Sequence, residues 1–377
     1  MVDGRTLQPS PFACTVDTRG VAILSASGLV SQRFQERLVE HPWFELRAIA
    51  GSKQTAGRFL SSLEWRLESP MPMLSDLLII DLESEELVEK MLLAGVDLVF
   101  SALPSEVARR VEPQLSEAGF QVFSNASAFR CIDGVPLVIA DLNPHHLKHW
   151  NSSELGTLAC STNCTVVPVA LPLKPLWDMV GFHSLKIRTE QALSGGGWRL
   201  LLNEDALAGN LDSEIPGEAE KIAEELLHLL GRVTMQGIRP ANIDVQVQCE
   251  RISVKNGHMV HVEVELDRKA SLDEIKEWMS AWSDRPQHLN LPSAPSSPVI
   301  VIDEVPNREL HLMAGKENGN VFDLKAGMAV VVGAVEVEGK VLRFSALSHN
   351  TIRGAAGGCM LLAELLLAEG MLNVVPT

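Results

Sequence analysis

The sequence predicts an α/β chain in two parts: an N-terminal doubly wound parallel sheet, then an α+β domain built on a mixed sheet. Three observations carry that expectation. From Val21 onward, short apolar runs alternate with helical segments, the pattern of parallel strands joined by crossover helices. Near residue 151 the texture changes to longer alternating strands and amphipathic helices. A chain of 377 residues also exceeds what one ordinary hydrophobic core organises, so two domains of unequal size are expected.

In order, 21–24 reads as a buried strand, 30–40 as a helix, and 44–50, 77–81 and 96–102 as further strands. A ligand of such a sheet lies at the carboxyl ends of its strands. In the second part, 165–179 is helical, with Pro168 in its opening turn and Pro172 expected to kink it. Residues 185–191 form a strand that ends in SGGGW, and 216–230 a helix closed by Gly231. Segments 244–254 and 258–266 alternate like an antiparallel pair around Asn256-Gly257, a preferred two-residue hairpin turn. LNLPSAPSSP (289–298) reads as a surface loop, and 350–372 as a glycine-rich turn running into a helix.

Composition narrows the function classes. With 46% hydrophobic and 21% charged residues, the chain is expected to fold as a soluble globular protein. No segment reaches the roughly 18 apolar residues of a membrane span, and the first twenty residues match neither a secretory nor a transit signal, so a cytoplasmic address is expected. A formal net charge of -16, without a lysine and arginine cluster, repels a phosphate backbone and excludes nucleic acid as a natural partner. The six cysteines lack CxxC pairs, which argues against a zinc site or a disulfide framework, so no metal is expected. Tyrosine is absent, so no mechanism can use a phenolic acid or base.

VAILSASGLVSQRF (21–34) has the strand, turn and helix start of a Rossmann-like pyrophosphate site, with Ser25, Gly28 and Ser31 at the three glycine positions. Only the middle glycine, which lets the backbone meet the ligand, is kept. Serine at the first position costs about 1 kcal/mol or more where positive φ is needed. An ordinary strand-turn-helix would look the same. After the second strand come Ser52, Lys53, Thr55 and Arg58 in place of an acidic residue; hydroxyls and cations suit a 2′-phosphate, which favours NADP over NAD.

At the chemical end, Cys164 in STNCTVVPVALPLKPL stands where a loop becomes a helix, with Asn163 before it. Unpaired N–H groups and the helix dipole there are expected to favour thiolate, although a buried structural cysteine fits the same pattern. If the Asn256-Gly257 loop is tight, Lys255 pairs with His258 and Arg251 with Val262. Arg251 and His258 then share a face, a guanidinium beside an imidazole, and His261 falls on the opposite one. Glu218 and Lys221, three apart on a helix, form either an exposed ion pair or a site for a small charged molecule.

Together these pieces resemble the aspartate-semialdehyde dehydrogenase family in its archaeal and fungal form. The resemblance runs from Val21 to about Leu372 and rests on SNASAFR, VIADLNPHHL, NCT, EQALSGGGW, GEAEK, ERISVKNGH and HNTIRGAAGG. It implies that Cys164 is the nucleophile, His258 the general acid/base, and Gln191 a group that positions the acyl intermediate. Arg251 would bind the substrate α-carboxylate and Glu218 its ammonium group, while Lys221, Arg130 and Asn163 would line a phosphate site. NADP(H) would be held by Ser25, Ser27, Gly28, Leu29 and Val30, by Ser52, Lys53 and Thr55, and by Ser194, Gly195 and Asn350. The implied reaction is reversible NADPH-dependent reduction of L-aspartyl 4-phosphate to the 4-semialdehyde through a cysteine thioester, in a homodimer or homotetramer.

The implied division is an extension at 1–18, a dinucleotide-binding domain at 19–155 completed by 350–377, and a catalytic and dimerisation domain at 156–349. Three departures stand out: serine at positions 25 and 31, Trp198 where the family usually has tyrosine, and a segment before Gly217 that lacks the family's usual run. They keep open a non-catalytic paralogue, or a reductase of a different acyl phosphate. Glu218 separates the sister activity on N-acetylglutamyl phosphate, because only a free ammonium group needs a carboxylate partner.

Overall fold

The computed structural model of the chain describes residues 18–74, 76–149, 157–317 and 322–372. The expected extension at 1–18, except residue 18, the domain boundary at 155–156 and the last five residues lie outside the described residues.

The first sheet is all parallel, in the order β3-β2-β1-β4-β5-β6. It is built from β1 (Arg19–Leu24), α1 (Leu29–Leu38), β2 (Phe44–Gly51), β3 (Ile80–Asp81), α2 (Leu87–Leu93), β4 (Leu98–Ser101), α3 (Ser105–Glu117), β5 (Gln121–Ser124) and β6 (Leu158–Cys160). Its strands are buried on both faces, and alternate residues feed two cores. Ala22, Leu24 and Val99 pack with Met91, Ala108, Val111 and Leu115 of α2 and α3. Val21, Ile23 and Phe100 pack with Phe34 of α1 and with the C-terminal helix. The expected third strand is short because Leu78 bridges back to Phe59, so pairing with β2 begins only at Ile80.

The second sheet is mixed, in the order β10-β7-β11-β14-β13-β12. Its elements are α4 (Val167–Met179), β7 (Phe182–Gln191), the short α5 (Trp198–Leu201) and α6 (Glu204–Leu207), α7 (Glu218–Leu229), a small β8 (Arg232–Thr234) and β9 (Gly237–Arg239) hairpin, β10 (Asp244–Arg251) and β11 (His258–Leu266). Then follow α8 (Leu272–Ala281), α9 (Arg285–His288), β12 (Val299–Val301), α10 (Arg308–His311), β13 (Val330–Glu338), β14 (Val341–Ser348) and α11 (Gly357–Ala368). Helix α4 runs without a break through Pro172 and Pro175. Helices α4 and α8 cover the inner face of this sheet. A π-helical turn (Ile352–Ala356) leads into α11, whose Met360, Leu361 and Leu365 return the chain to the first sheet.

The hairpin expected between 244–254 and 258–266 does not form. Strand β7 lies between the two, pairing in parallel with β10 and antiparallel with β11. The pairings Lys255 with His258 and Arg251 with Val262 therefore fail. The residues around Asn256-Gly257 form a crossover that closes on β7 instead, with Leu193 N–H donating to the Val254 carbonyl and Ser194 N–H to that of Lys255.

Candidate active site

Three neighbouring strands bring three polar side chains to one end of the second sheet. Arg251 of β10 is in register with Gln191 of β7, and Met259 of β11 lies opposite Glu190, so His258 comes alongside Gln191. All three stand on the inner face, with the Val247, Ile187 and Val260 side chains behind them. The shared face expected for Arg251 and His258 is real, although strand order and not a hairpin creates it. Gly195 makes their approach possible: a Cβ there would fall 2.9 Å from Arg251 Nη1 and 2.9 Å from His258 Cε1.

Cys164 meets this group from the turn that precedes α4. Its Sγ lies 3.2 Å from His258 Nε2, and the Ala192 N–H donates to His258 Nδ1 at 3.1 Å. The Asn163 side chain holds the turn by accepting from the Thr165 N–H at 2.8 Å. Behind it, Gly354 of the π-helical turn leaves no room for a side chain, since a Cβ there would sit 2.7 Å from Cys164 Cβ.

Charge and burial do not favour thiolate in the way the helix start suggested. Burial, and then Glu218, push the Cys164 thiol up to about 11, while Arg130 and Arg251 pull the other way. Burial, and then the cations Arg251 and Arg308, bring His258 down to about 3. Both shifts favour the uncharged forms, a thiol beside a neutral imidazole. His261 faces the opposite side of the sheet and bonds Ser345 and Glu190.

A cleft of about 450 Å³ opens in front of Cys164 and includes Gln191, Arg251, Glu218, Lys221 and Arg130 in its walls. Helix α7 supplies Glu218 and Lys221 on one face, as their spacing suggested. Glu218 Oε1 accepts from Asn163 Nδ2 at 2.8 Å and from Gln191 Nε2 at 3.5 Å. The same helix carries a residue the sequence reading missed. Glu225, 3% exposed, accepts from Arg130 Nη1 (3.0 Å), Thr162 Oγ1 (2.7 Å) and the Asn163 N–H (2.6 Å). It ties both the arginine and the cysteine loop to α7. Its spacing of four from Lys221 and seven from Glu218 puts it on the same helix stripe, which was the available signal.

Ser194, Gly195, Asn350 and Val30 also line this cleft. Asn350 is buried; its Oδ1 accepts from the Gly257 N–H at 2.9 Å and its Nδ2 donates to Ser194 Oγ at 2.8 Å. The other nucleotide candidates stand apart from Cys164, at the ends of β1 and β2. Ser25 takes φ +83°, the left-handed conformation that favours glycine. Ser31 is fully buried within α1 and bonds Gln35. Arg66 Nη1 donates to the Ser27 carbonyl and its guanidinium stacks 4.3 Å from the Trp198 ring centre. Lys53 is exposed and paired with Glu83 at 2.8 Å.

The donor set fits a dinucleotide. Gly28 caps α1 without a side-chain hydrogen bond, Leu29 and Val30 open its first turn, and no acidic residue stands in that turn. Unsatisfied N–H groups at a helix start bind anions. The strand order reverses direction at β1, between β2 and β4, which is where open α/β sheets hold such ligands.

The chain resembles known proteins over nearly its whole length. Residues 20–150 match the model of the semialdehyde dehydrogenase NAD-binding domain, and residues 173–353 that of the semialdehyde dehydrogenase dimerisation domain. Aspartate-semialdehyde dehydrogenase of Archaeoglobus fulgidus is 38% identical, over 93% of this chain and 98% of that one. The Aspergillus fumigatus protein of the same name is 33% identical over 92% and 97%. A malonyl CoA reductase (NADP) of Metallosphaera sedula is 29% identical over 94% and 99%. Among solved structures, aspartate semialdehyde dehydrogenase with NADP from Candida albicans superposes with a TM-score of 0.80 at 29% identity, covering 94% of this chain and 100% of that one.

Proposed function

The chain belongs to the semialdehyde dehydrogenase family, and from that premise we propose that it reversibly reduces L-aspartyl 4-phosphate to L-aspartate 4-semialdehyde with NADPH. The observation that carries this reading is the Cys164 Sγ to His258 Nε2 contact of 3.2 Å at the floor of a cleft walled by Arg251, Glu218, Lys221 and Arg130. The reading takes Cys164 as the nucleophile that forms a thioester as phosphate leaves, with His258 assisting proton movement at the sulfur. Arg251 grips the α-carboxylate, Glu218 the ammonium group, and Gln191 orients the acyl group. Lys221, Arg130 and Asn163 receive the phosphate.

When bound, the nicotinamide supplies the hydride. The α1 start from Ser25 to Val30 holds its pyrophosphate, Ser194, Gly195 and Asn350 border its reactive ring, and Ser52, Lys53 and Thr55 receive the 2′-phosphate. The Candida albicans relative's NADP supports the choice of cofactor. The same reading divides the chain into a nucleotide domain at 19–155, completed from residue 350, and a catalytic domain at 156–349. It places a homodimer or homotetramer in the cytoplasm. Among the described residues no helix is long and apolar enough to cross a membrane.

Against a non-catalytic paralogue stands the convergence of thiol, imidazole and guanidinium. Against a coenzyme A thioester as acyl donor, as in the Metallosphaera sedula relative's name, stand two cations aimed where a compact phosphate departs. The test follows NADP reduction by purified protein with L-aspartate 4-semialdehyde. The reading requires turnover that depends on phosphate and on Cys164, and that NAD supports less well. A folded protein that binds NADP without phosphate-dependent turnover would point to another acyl group and overturn it.

A further inference from the structure

We infer that Arg66 and Trp198 are positioning residues for the nucleotide: together they aim the Gly28 N–H at the pyrophosphate and make that aim depend on the second domain. The inference deepens the reading of residues 25–30 as a nucleotide turn and rests on it. Arg66 lies in the irregular segment between β2 and β3, and α1 fixes its backbone at two points. Gln32 Nε2 donates to the Glu64 carbonyl at 2.7 Å, and Gln32 Oε1 accepts from the Arg66 N–H at 2.9 Å. Two residues on, Glu68 pairs with Arg33 of the same helix.

From that base the guanidinium reaches the turn. Its Nη1 donates to the Ser27 carbonyl at 3.0 Å and its Nη2 to Glu64 Oε2 at 2.8 Å. The Ser27 carbonyl and the Gly28 N–H belong to one planar trans peptide and point opposite ways. Holding the oxygen on the Arg66 side therefore directs the N–H to the other side, where the helix start receives an anion. The same turn is strained at Ser25, with φ +83°, and a strained residue persists only where its surroundings hold it.

The second domain supplies the other half of the clamp. The guanidinium carbon of Arg66 lies 4.3 Å from the centre of the Trp198 ring, and an indole face attracts a cation more strongly than other aromatic rings do. Trp198 opens α5 directly after the SGGG run, whose Ser194 and Gly195 line the cleft. Leu29 of α1 and Leu67 of the Arg66 segment pack beside it in a cluster with Leu193, Leu201 and Ala206. One apolar cluster and one stacked cation thus join the nucleotide turn to the loop that borders the cleft. A guanidinium without Trp198 loses its fixed seat, and the Ser27 peptide is then free to turn.

The test is nucleotide binding by titration calorimetry with no acyl substrate present, so it stands apart from the choice of acyl group. Arg66→Met keeps the apolar stem and removes the donors. It should weaken NADP and NAD by the same factor, about tenfold, the worth of a hydrogen bond to a charged group, because both carry the pyrophosphate. Trp198→Leu should weaken both about threefold. Combined with Arg66→Met it should cost nothing further, since Trp198 acts through the arginine. Trp198→Phe, with a smaller aromatic face, should fall between wild type and Trp198→Leu, and it takes the place of the leucine variant in the cycle if that one fails to fold. In turnover, the KM for NADP should rise in step with the dissociation constant while kcat falls less. Losses that add in the double variant, a loss confined to NADP, or unchanged affinity in Arg66→Met overturn the inference and leave the nucleotide reading standing. A folded wild-type protein that binds neither nucleotide removes both.

Discussion

Gly354 packs its bare Cα against Cys164, and the consequence can be read at a single residue. A methyl group at 354 would press on Cys164 Cβ and on its backbone, moving Sγ out of reach of His258. Gly354→Ala should therefore lower Cys164 alkylation and turnover by about tenfold or more, as misplacement of a reacting group does, with far-ultraviolet circular dichroism unchanged. The two serines of the nucleotide turn are not equivalent. Ser25 is in the left-handed region, whereas Ser31 is buried inside α1 with Gln35 bonded to it. Ser25→Gly should stabilise the chain by roughly 0.5–1 kcal/mol in urea unfolding, and Ser31→Gly should cost about 1 kcal/mol as an interior helix glycine. A strain of that size at Ser25 is not enough by itself to stop the turn from forming.

At the scale of elements, α7 organises the cleft through one stripe: Glu218 and Lys221 line it, and Glu225 holds Arg130 and the cysteine loop from below. Removing the charge in Glu225→Gln should loosen Arg130 and raise the KM for phosphate about tenfold while kcat falls less. Equal losses in both would instead mean that the cysteine loop itself had moved. The first four strands of the first sheet were legible in the sequence because they are short and apolar, and most are separated by helices. Strands β5, β6, β8, β9 and β12 to β14 were not drawn from the sequence, and the hairpin was wrong for a physical reason. Asn256-Gly257 is a strong local turn signal, but the ladder bonds on either side of it go to β7, some sixty residues earlier, and no local pattern encodes that partner. Arg251 and His258 still emerged on one face, because β7 brings both into register with Gln191. Cys164 stands in the turn before α4, where the sequence put it, but burial by remote residues raises its thiol where the local helix start alone suggested a lowering.

For the whole molecule, the outer face of the second sheet remains uncovered in one chain. It holds a trough of about 610 Å³ walled in part by Gln246, Gln248, His261 and Phe344, with Lys186, Glu263 and Arg343 linked by ion pairs across it. This face lies within the segment that matches the dimerisation model. Gln248→Arg adds an unpaired charge there and should shift sedimentation toward the monomer, whereas an unchanged assembly would place the contact elsewhere.

The central claim is that Cys164 carries the acyl group. Incubating the protein with L-aspartate 4-semialdehyde and NADP, without phosphate, and measuring the intact mass and the peptide containing Cys164 tests it most directly. The account predicts one aspartyl group on Cys164 that phosphate then discharges. An unmodified Cys164 in protein that has reduced NADP, or an adduct on another residue, would contradict it.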